Sequence, residues 1–266
     1  MMKKLSFILV VLLACGFAAQ AQTLRKVKND AFQRGELLVF RVYYDALLTG
    51  EVNAGIASLE VTNDNKIISD RSTYRIIGKG RSIGAFNFFF KVVDRFETIF
   101  DEEALAPWIF VRRSNEGGYK IEQDVTFNQF KNFGKTDNKP IVSLPEYTQD
   151  MISAFYYART LDFSDKKAGD IIDIPFFLDD TLYTSRIVYE GKEVVKTSMG
   201  KFNCLKFKPM VAIGTVFDNP YPMILYVTDD KNRIPVMVES GIIVGTVKME
   251  LIQFKGLKND LTALIK

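Results

Sequence analysis

The chain has 266 residues, 47% hydrophobic and 25% charged, with a formal net charge of +3 and no histidine. Without imidazole, Ser-His-Asp and Cys-His catalysis and the usual zinc sites are excluded, because histidine supplies the neutral-pH base and the commonest metal ligand. The near-balance of charge leaves no footprint for nucleic acid or for an anionic membrane surface, and an enzyme built from this chain would rely on carboxylate, Lys, Tyr or Ser/Lys chemistry.

Residues 1–21 combine Lys3 and Lys4, an apolar run from Leu5 to Ala19 and the small-residue site Ala19-Gln20-Ala21. That is the layout of a secretory signal peptide cleaved after Ala21, and it predicts a periplasmic or secreted protein. The alternative is a lipoprotein anchored through Cys15, against which the bulky Leu13 and the apolar residues after Cys15 both argue. Removing 21 of the 266 residues leaves 245, an ordinary length for one all-β domain able to bury a substantial core. Cys204 is then the only cysteine, so the fold rests on its core without a disulfide. Placed between Asn203 and Leu205, it reads as a small buried hydrophobe.

Residues 22–34 form a polar, flexible lead-in. Gly35-Glu36 opens a strand in which Leu38, Phe40, Val42 and Tyr44 share one side. From Gly55 to Thr62, Ala57, Leu59 and Val61 alternate with Ser58, Glu60 and Thr62, the pattern of a half-buried strand. Tyr74–Gly78, Val92–Phe100 and Tyr119–Phe130 read as further strands, and 134–145, with Pro140 and Pro145, as a loop. The densest aromatic cluster, Gly84 to Phe90, carries Phe86, Phe88 and Phe89. Aromatic groups mostly serve burial, which favours a core plug; the alternative is an apolar lip for a ligand.

Asp150 to Leu161 is the one clear helix. Asp150 can cap it, and stripes through Met151, Ala154, Phe155 and Ala158 and through Ile152, Tyr156 and Arg159 cover most of its circumference. Such a helix is normally enclosed, so it is expected against or inside a curved sheet. Arg159 then needs a carboxylate or a path to solvent. Beyond it, strands are expected at 171–178, 182–189, 193–198, 202–210 and 241–254, with Glu190-Gly191-Lys192 and Asn219-Pro220 among the turns. No second apolar run approaches membrane-spanning length.

Leu225 to Glu239 reads as strand, polar turn and strand, with Asp229, Asp230, Arg233 and Pro235 as structural turn residues. An ion pair from Arg233 to these acids would close the turn, and Pro235 confines its strand to an edge or a bulge. The six-residue step from Asp229 to Pro235 has a counterpart from Asp101 to Pro107, which suggests two pseudo-equivalent halves, about 35–134 and 170–256, joined by the helix at 150–161. The pairs Glu102-Glu103, Asp179-Asp180 and Asp229-Asp230 could serve acid/base chemistry on a polysaccharide. Adjacent acids at hairpin tips are far more often turn formers. Asp230-Lys231-Asn232 opens like a calcium loop but continues with Ile234 and no glycine, so no metal site is expected.

Four blocks, Gly35-Glu36-Leu37-Leu38, Ala54-Gly55-Ile56-Ala57, Ser153-Ala154-Phe155-Tyr156-Tyr157-Ala158-Arg159 and Thr228 to Pro235, together resemble a family of exported bacterial proteins, domain of unknown function 3108 (DUF3108). The resemblance runs over nearly all of the chain after residue 21. It implies an exported, β-rich single domain and transfers no catalytic residue. A sheet wrapped round a helix is also similar in outline to the half-barrel lipoprotein carriers of the bacterial envelope.

The expected fold is mainly β: a single curved antiparallel sheet or partly open β-barrel with one central helix, spanning 35–256 and followed by a tail at 257–266. The expected function is a non-catalytic envelope protein binding an apolar or lipid-like ligand, a lipoprotein or another envelope protein through Phe86, Phe88, Phe89, Phe155, Tyr156 and Arg159. No cofactor and no nucleic acid enter this picture. A carboxylate-based hydrolase and a scaffolding module are the alternatives.

Overall fold

The structure is a computed structural model that describes residues 23–46, 50–210, 222–241 and 246–265. The expected signal peptide, Cys15 and the Asn219-Pro220 turn lie outside the described residues. Strands β1 (Leu37–Ala46), β2 (Gly50–Val61), β3 (Ile67–Ile68) and β4 (Arg71–Ser82) precede a short helix α1 (Gly84–Phe89). Then follow β5 (Val92–Asp101), β6 (Pro107–Glu116), β7 (Tyr119–Asn128), β8 (Phe133–Thr136), β9 (Val142–Ser143) and helix α2 (Met151–Ala158). The second half holds β10 (Ile171–Leu178), β11 (Thr181–Thr197), β12 (Gly200–Pro209), β13 (Met223–Thr228), β14 (Pro235–Gly241), β15 (Thr246–Lys255) and β16 (Leu264–Ile265).

The main path of the sheet runs β10-β11-β12-β13-β14-β15-β1-β2-β4-β5-β6-β7-β8-β9, with β3 pairing β4 and β16 pairing β12. The ladders are antiparallel, and the halves of the chain meet where β15 pairs β1. The path does not close, leaving β9 and β10 as its ends. The segment entering α2 patches this seam: Gln149 donates from its backbone N to the Pro175 carbonyl at 2.9 Å and accepts from Phe177 N at 2.8 Å.

Helix α2 sits in the concavity, touching β5 on one side and β10 on the other. Its close approach is set by Gly78, where an added Cβ would stand 3.4 Å from Leu59 and 3.5 Å from Ile152. Ile152 and Tyr156 join Phe32, Val61, Tyr74, Ile76 and Phe100 in one core cluster. Tyr156 meets Phe32 edge-on at 4.9 Å between ring centroids, a geometry that favours aromatic pairs.

Several elements differ from the pattern-based expectation. The helix ends at Ala158 rather than Leu161, with Thr160 N and Leu161 N donating three residues back in a tightened last turn. Glu190-Gly191-Lys192 is no turn: β11 continues through it, and Gly191, at φ 102°, takes up a register shift against β12. Residues 134–145, expected as loop, carry β8 and β9. On β1 Tyr43 is buried and Tyr44 half-buried, because Arg41, two residues earlier on the same face, covers the Tyr43 ring at 4.2 Å. The polar lead-in packs down, with Ala31 and Phe32 both 0% exposed, and the tail buries Ala263 and pairs through β16.

Candidate functional site

At the N-terminus of α2, Asp150 accepts from the backbone N of Ile152 and Ser153 at 2.8 Å, while Ser153 Oγ accepts from Asp150 N at 2.8 Å, a reciprocal capping box. Thr98 Oγ1 on β5 donates to the second Asp150 oxygen, fixing the helix to the sheet. Burial pushes the Asp150 carboxyl up to about 6, against the opposing pull of these hydrogen bonds.

The other end is held by charge. Arg159, 2% exposed, donates to both carboxylate oxygens of Glu36, at 2.6 and 2.8 Å, and Glu36 is itself fully buried. Its Nε donates to the Asn232 carbonyl at 3.0 Å, and a further N–H to Ala31 O at 3.3 Å. Burial pulls Arg159 down, but the Glu36 charge and hydrogen bonds leave it raised above its ordinary value. Burial pushes the neighbouring Tyr156 phenol well up, so it stays protonated. Asn232, also fully buried, is clamped by Asn259, which donates to Asn232 Oδ1 from its backbone N at 3.0 Å. Three of the four sequence blocks therefore converge on one buried node.

Beside that node lies a cleft between the end of α2 and the inner faces of β10 to β13. Phe155, Ala158, Leu161 and Phe163 form one wall. The other is built from cross-strand apolar pairs, Ile172 with Ile187 and Phe207 with Leu225, and from Val227. Arg159 and Arg233 complete the lining. The free volume is about 40 Å³, well below the roughly 300–1,000 Å³ of an ordinary ligand pocket. Half-buried Phe155, Leu161, Ile172, Ile187 and Leu225 continue the apolar surface toward solvent. Arg233 is the polar exception. It donates to the Arg159 carbonyl at 2.8 Å and stacks over Phe163 at 5.6 Å, and no carboxylate lies within 4 Å of it among the described residues. Burial lowers its pKa.

The residues singled out from sequence separate into three places. Phe155 and Arg159 line the cleft, and Tyr156 turns away into the core beneath. Phe86, Phe88 and Phe89 do not join them: they lie on α1, which buries no residue, with Phe88 87% and Phe89 81% exposed. The expected core plug is thus overturned: Phe86 is half-buried and the other rings stay in solvent, while Asn87, itself exposed, accepts from Ser82 Oγ at 3.0 Å. In the β13–β14 turn, Asp229 pairs with Lys192 at 2.7 Å, and Asp230 accepts from Asn232 N and Arg233 N at 3.0 and 3.3 Å. The expected ion pair to Arg233 is replaced by that residue's bond to α2. Pro235 opens β14 opposite Val227 at a register shift, as Pro107 opens β6 opposite Phe100.

Glu36 and the β10–β13 wall were absent from the predicted set. The demand of Arg159 for a carboxylate was the available signal for the first. The acids lie on separate turns, most with partners of their own: Glu102 on Arg34 at 2.7 Å, Glu103 on Lys26 at 3.4 Å, Asp179 on Arg112 at 3.2 Å, whereas one Asp180 oxygen is buried without a hydrogen-bond partner among the described residues. Cys204 is 1% exposed and burial pushes its thiol up to about 12, the profile of an inert core cysteine. Among the described residues no group of three or more acids or cysteines is placed to hold a metal ion, and no helix is long and apolar enough to cross a membrane.

An open antiparallel sheet curled round a single helix, with its cleft on the concave side, defines a β-barrel-like protein. The chain belongs to the family described as protein of unknown function (DUF3108), whose model matches residues 39–252. In fold it is similar to a β-barrel-like protein of domain of unknown function 1849 from Brucella abortus, at 11% identity and a TM-score of 0.54, over 88% of this chain and 99% of that one. A protein from Bacteroides fragilis described as exported, with a YmcC-like fold, aligns over 87% of this chain and 99% of its own at 12% identity, with a TM-score of 0.33 that carries no argument. None of the curated proteins matches.

Proposed function

We propose that this protein is an exported component of the bacterial envelope that holds an amphiphile, an apolar chain with an acidic head, in the cleft beside α2. The leader-like residues 1–21 support export. The observation that carries the ligand is the lining: nine apolar side chains and a half-buried guanidinium, Arg233, that feels the charges of Asp162, Asp229 and Asp230 but has no carboxylate within 4 Å among the described residues. Apolar walls with one or two placed polar groups are the usual composition of a small-molecule site. The free volume of about 40 Å³ means that a chain enters by displacing Phe155 and Phe163 rather than by filling a void.

The test uses a dansylated fatty acid and its methyl ester. The acid should gain fluorescence on binding, Ala158→Trp should abolish the gain by filling the cleft, and Arg233→Gln should weaken the acid about tenfold while leaving the ester unchanged. No gain with the wild-type protein, or equal binding by Ala158→Trp, overturns the proposal.

A further inference from the structure

Helix α1 leaves two large rings in solvent. Phe86 is half-buried, while Phe88 and Phe89 are 87% and 81% exposed and set edge-to-face against each other at 5.5 Å. The helix is tied to the sheet by Asn87, itself exposed, whose side-chain oxygen accepts from Ser82 Oγ at 3.0 Å, and Ser82 Oγ also accepts from Val92 N at 2.9 Å. The next residue, Phe90, is 52% exposed and rests on the β6–β7 turn, where a Cβ on Gly117 would stand 2.3 Å from its ring. Gly117 N donates to the Lys91 carbonyl at 2.9 Å, so this rim is hydrogen-bonded to the strands beneath it. Tyr119, 72% exposed, and Val93, 49% exposed, extend the apolar surface. Exposed apolar patches held on a framework mark interaction sites.

The charge around this patch is positive on balance. Arg81, Lys91 and Lys120 are exposed and have no carboxylate within 4 Å among the described residues. Across α1 and the flanking ends of β4 to β7, Glu116 and Glu122 are exposed carboxylates; Asp94 is half-buried and accepts from Asn115 N at 3.2 Å. The net charge of the whole chain conceals this local excess. Aromatic residues that enter the interface, ringed by cations that meet headgroup phosphates, are what an anionic bilayer surface recognises.

We infer that the α1 end of the sheet docks onto an anionic phospholipid surface, with Phe88 and Phe89 inserted at the headgroup boundary and Arg81, Lys91 and Lys120 on the phosphates. The inference is independent of the cleft. Residues 22–266, which include every described residue and leave out Cys15, should cosediment with phosphatidylglycerol-phosphatidylethanolamine vesicles and not with phosphatidylcholine vesicles, and high salt should weaken the binding. Phe88→Ser/Phe89→Ser should bind at least about tenfold more weakly at an unchanged melting temperature, since neither ring is buried. Arg81→Gln/Lys91→Gln/Lys120→Gln should flatten the salt dependence. Absence of wild-type cosedimentation, or equal binding by the serine variant, overturns the inference. So does a wild-type dimer that the serine variant makes monomeric in the absence of vesicle binding, which would assign the patch to a second copy of the chain.

Discussion

Arg159 and Glu36 are 123 positions apart and share a bidentate contact with almost no solvent access. Such a pair is weak evidence for net stability, because desolvating two charges offsets much of their attraction, but removing one partner strands the other. Glu36→Leu and Arg159→Met alone should therefore each destabilise by about 3–5 kcal/mol, and the double variant Glu36→Leu/Arg159→Met should recover most of that loss. Urea denaturation of the two single variants and the double variant, read as a cycle, checks it; additive losses would mean that the contact is not a coupled pair. Asp150 supplies a second test at this scale. Its folded pKa near 6 exceeds its ordinary value of 3.8, so the folded state holds the proton more tightly. Its contribution is then fully present below about pH 4 and is lost as pH rises through about 6, a swing of about 3 kcal/mol. Unfolding free energies measured across that window should fall with pH in the wild type and show a flatter slope in Asp150→Asn.

At the scale of elements, what the sequence pattern revealed depended on whether a signal was local. β2 and β7 were legible because half-buried strands alternate, and the cap of α2 was legible because Asp150 stands directly before the apolar stripes of the helix. The single strand β11 was not, since Glu190-Gly191-Lys192 has the composition of a turn and only pairing with β12 converts its glycine into a bulge. The direction in which the Phe86 to Phe90 cluster faces was hidden for a similar reason: aromatic content is the same inward or outward, and only the folded chain leaves Phe86 half-buried and Phe88 and Phe89 exposed. The need of Arg159 for a carboxylate could be read from the helix, but the choice of Glu36 required the folded chain. Gly78 carries the contact between α2 and the sheet and gives the test. Gly78→Ala places its methyl at ordinary contact distance from Leu59 and Ile152 and should be nearly neutral. Gly78→Leu should lift α2 and cost about 1–3 kcal/mol, seen as a lower denaturation midpoint with an unchanged slope.

For the whole molecule, the open seam and the cleft belong to one arrangement. The sheet does not close between β9 and β10; the free edge of β10 is instead paired by Gln149, one residue before the cap of α2, and the far end of that helix lines the cleft. A ligand that enters by displacing Phe155 therefore presses on the same helix that patches the seam, and its binding energy is expressed as stability of the whole fold. Linkage sets the size of the effect: at a free concentration about 100 times Kd, a ligand specific for the folded state adds about 2.7 kcal/mol. For a chain of this size, about 2–4 °C per kcal/mol gives a rise in melting temperature of about 5–10 °C. Thermal unfolding with a fatty acid below its micelle concentration should show this rise in the wild type. It should be absent in Ala158→Trp, where the indole occupies the cleft, and preserved in Phe88→Ser/Phe89→Ser, whose substitutions lie outside it. A rise that survived in Ala158→Trp would place the bound chain elsewhere on the molecule, and the seam and the cleft would then have no functional connection.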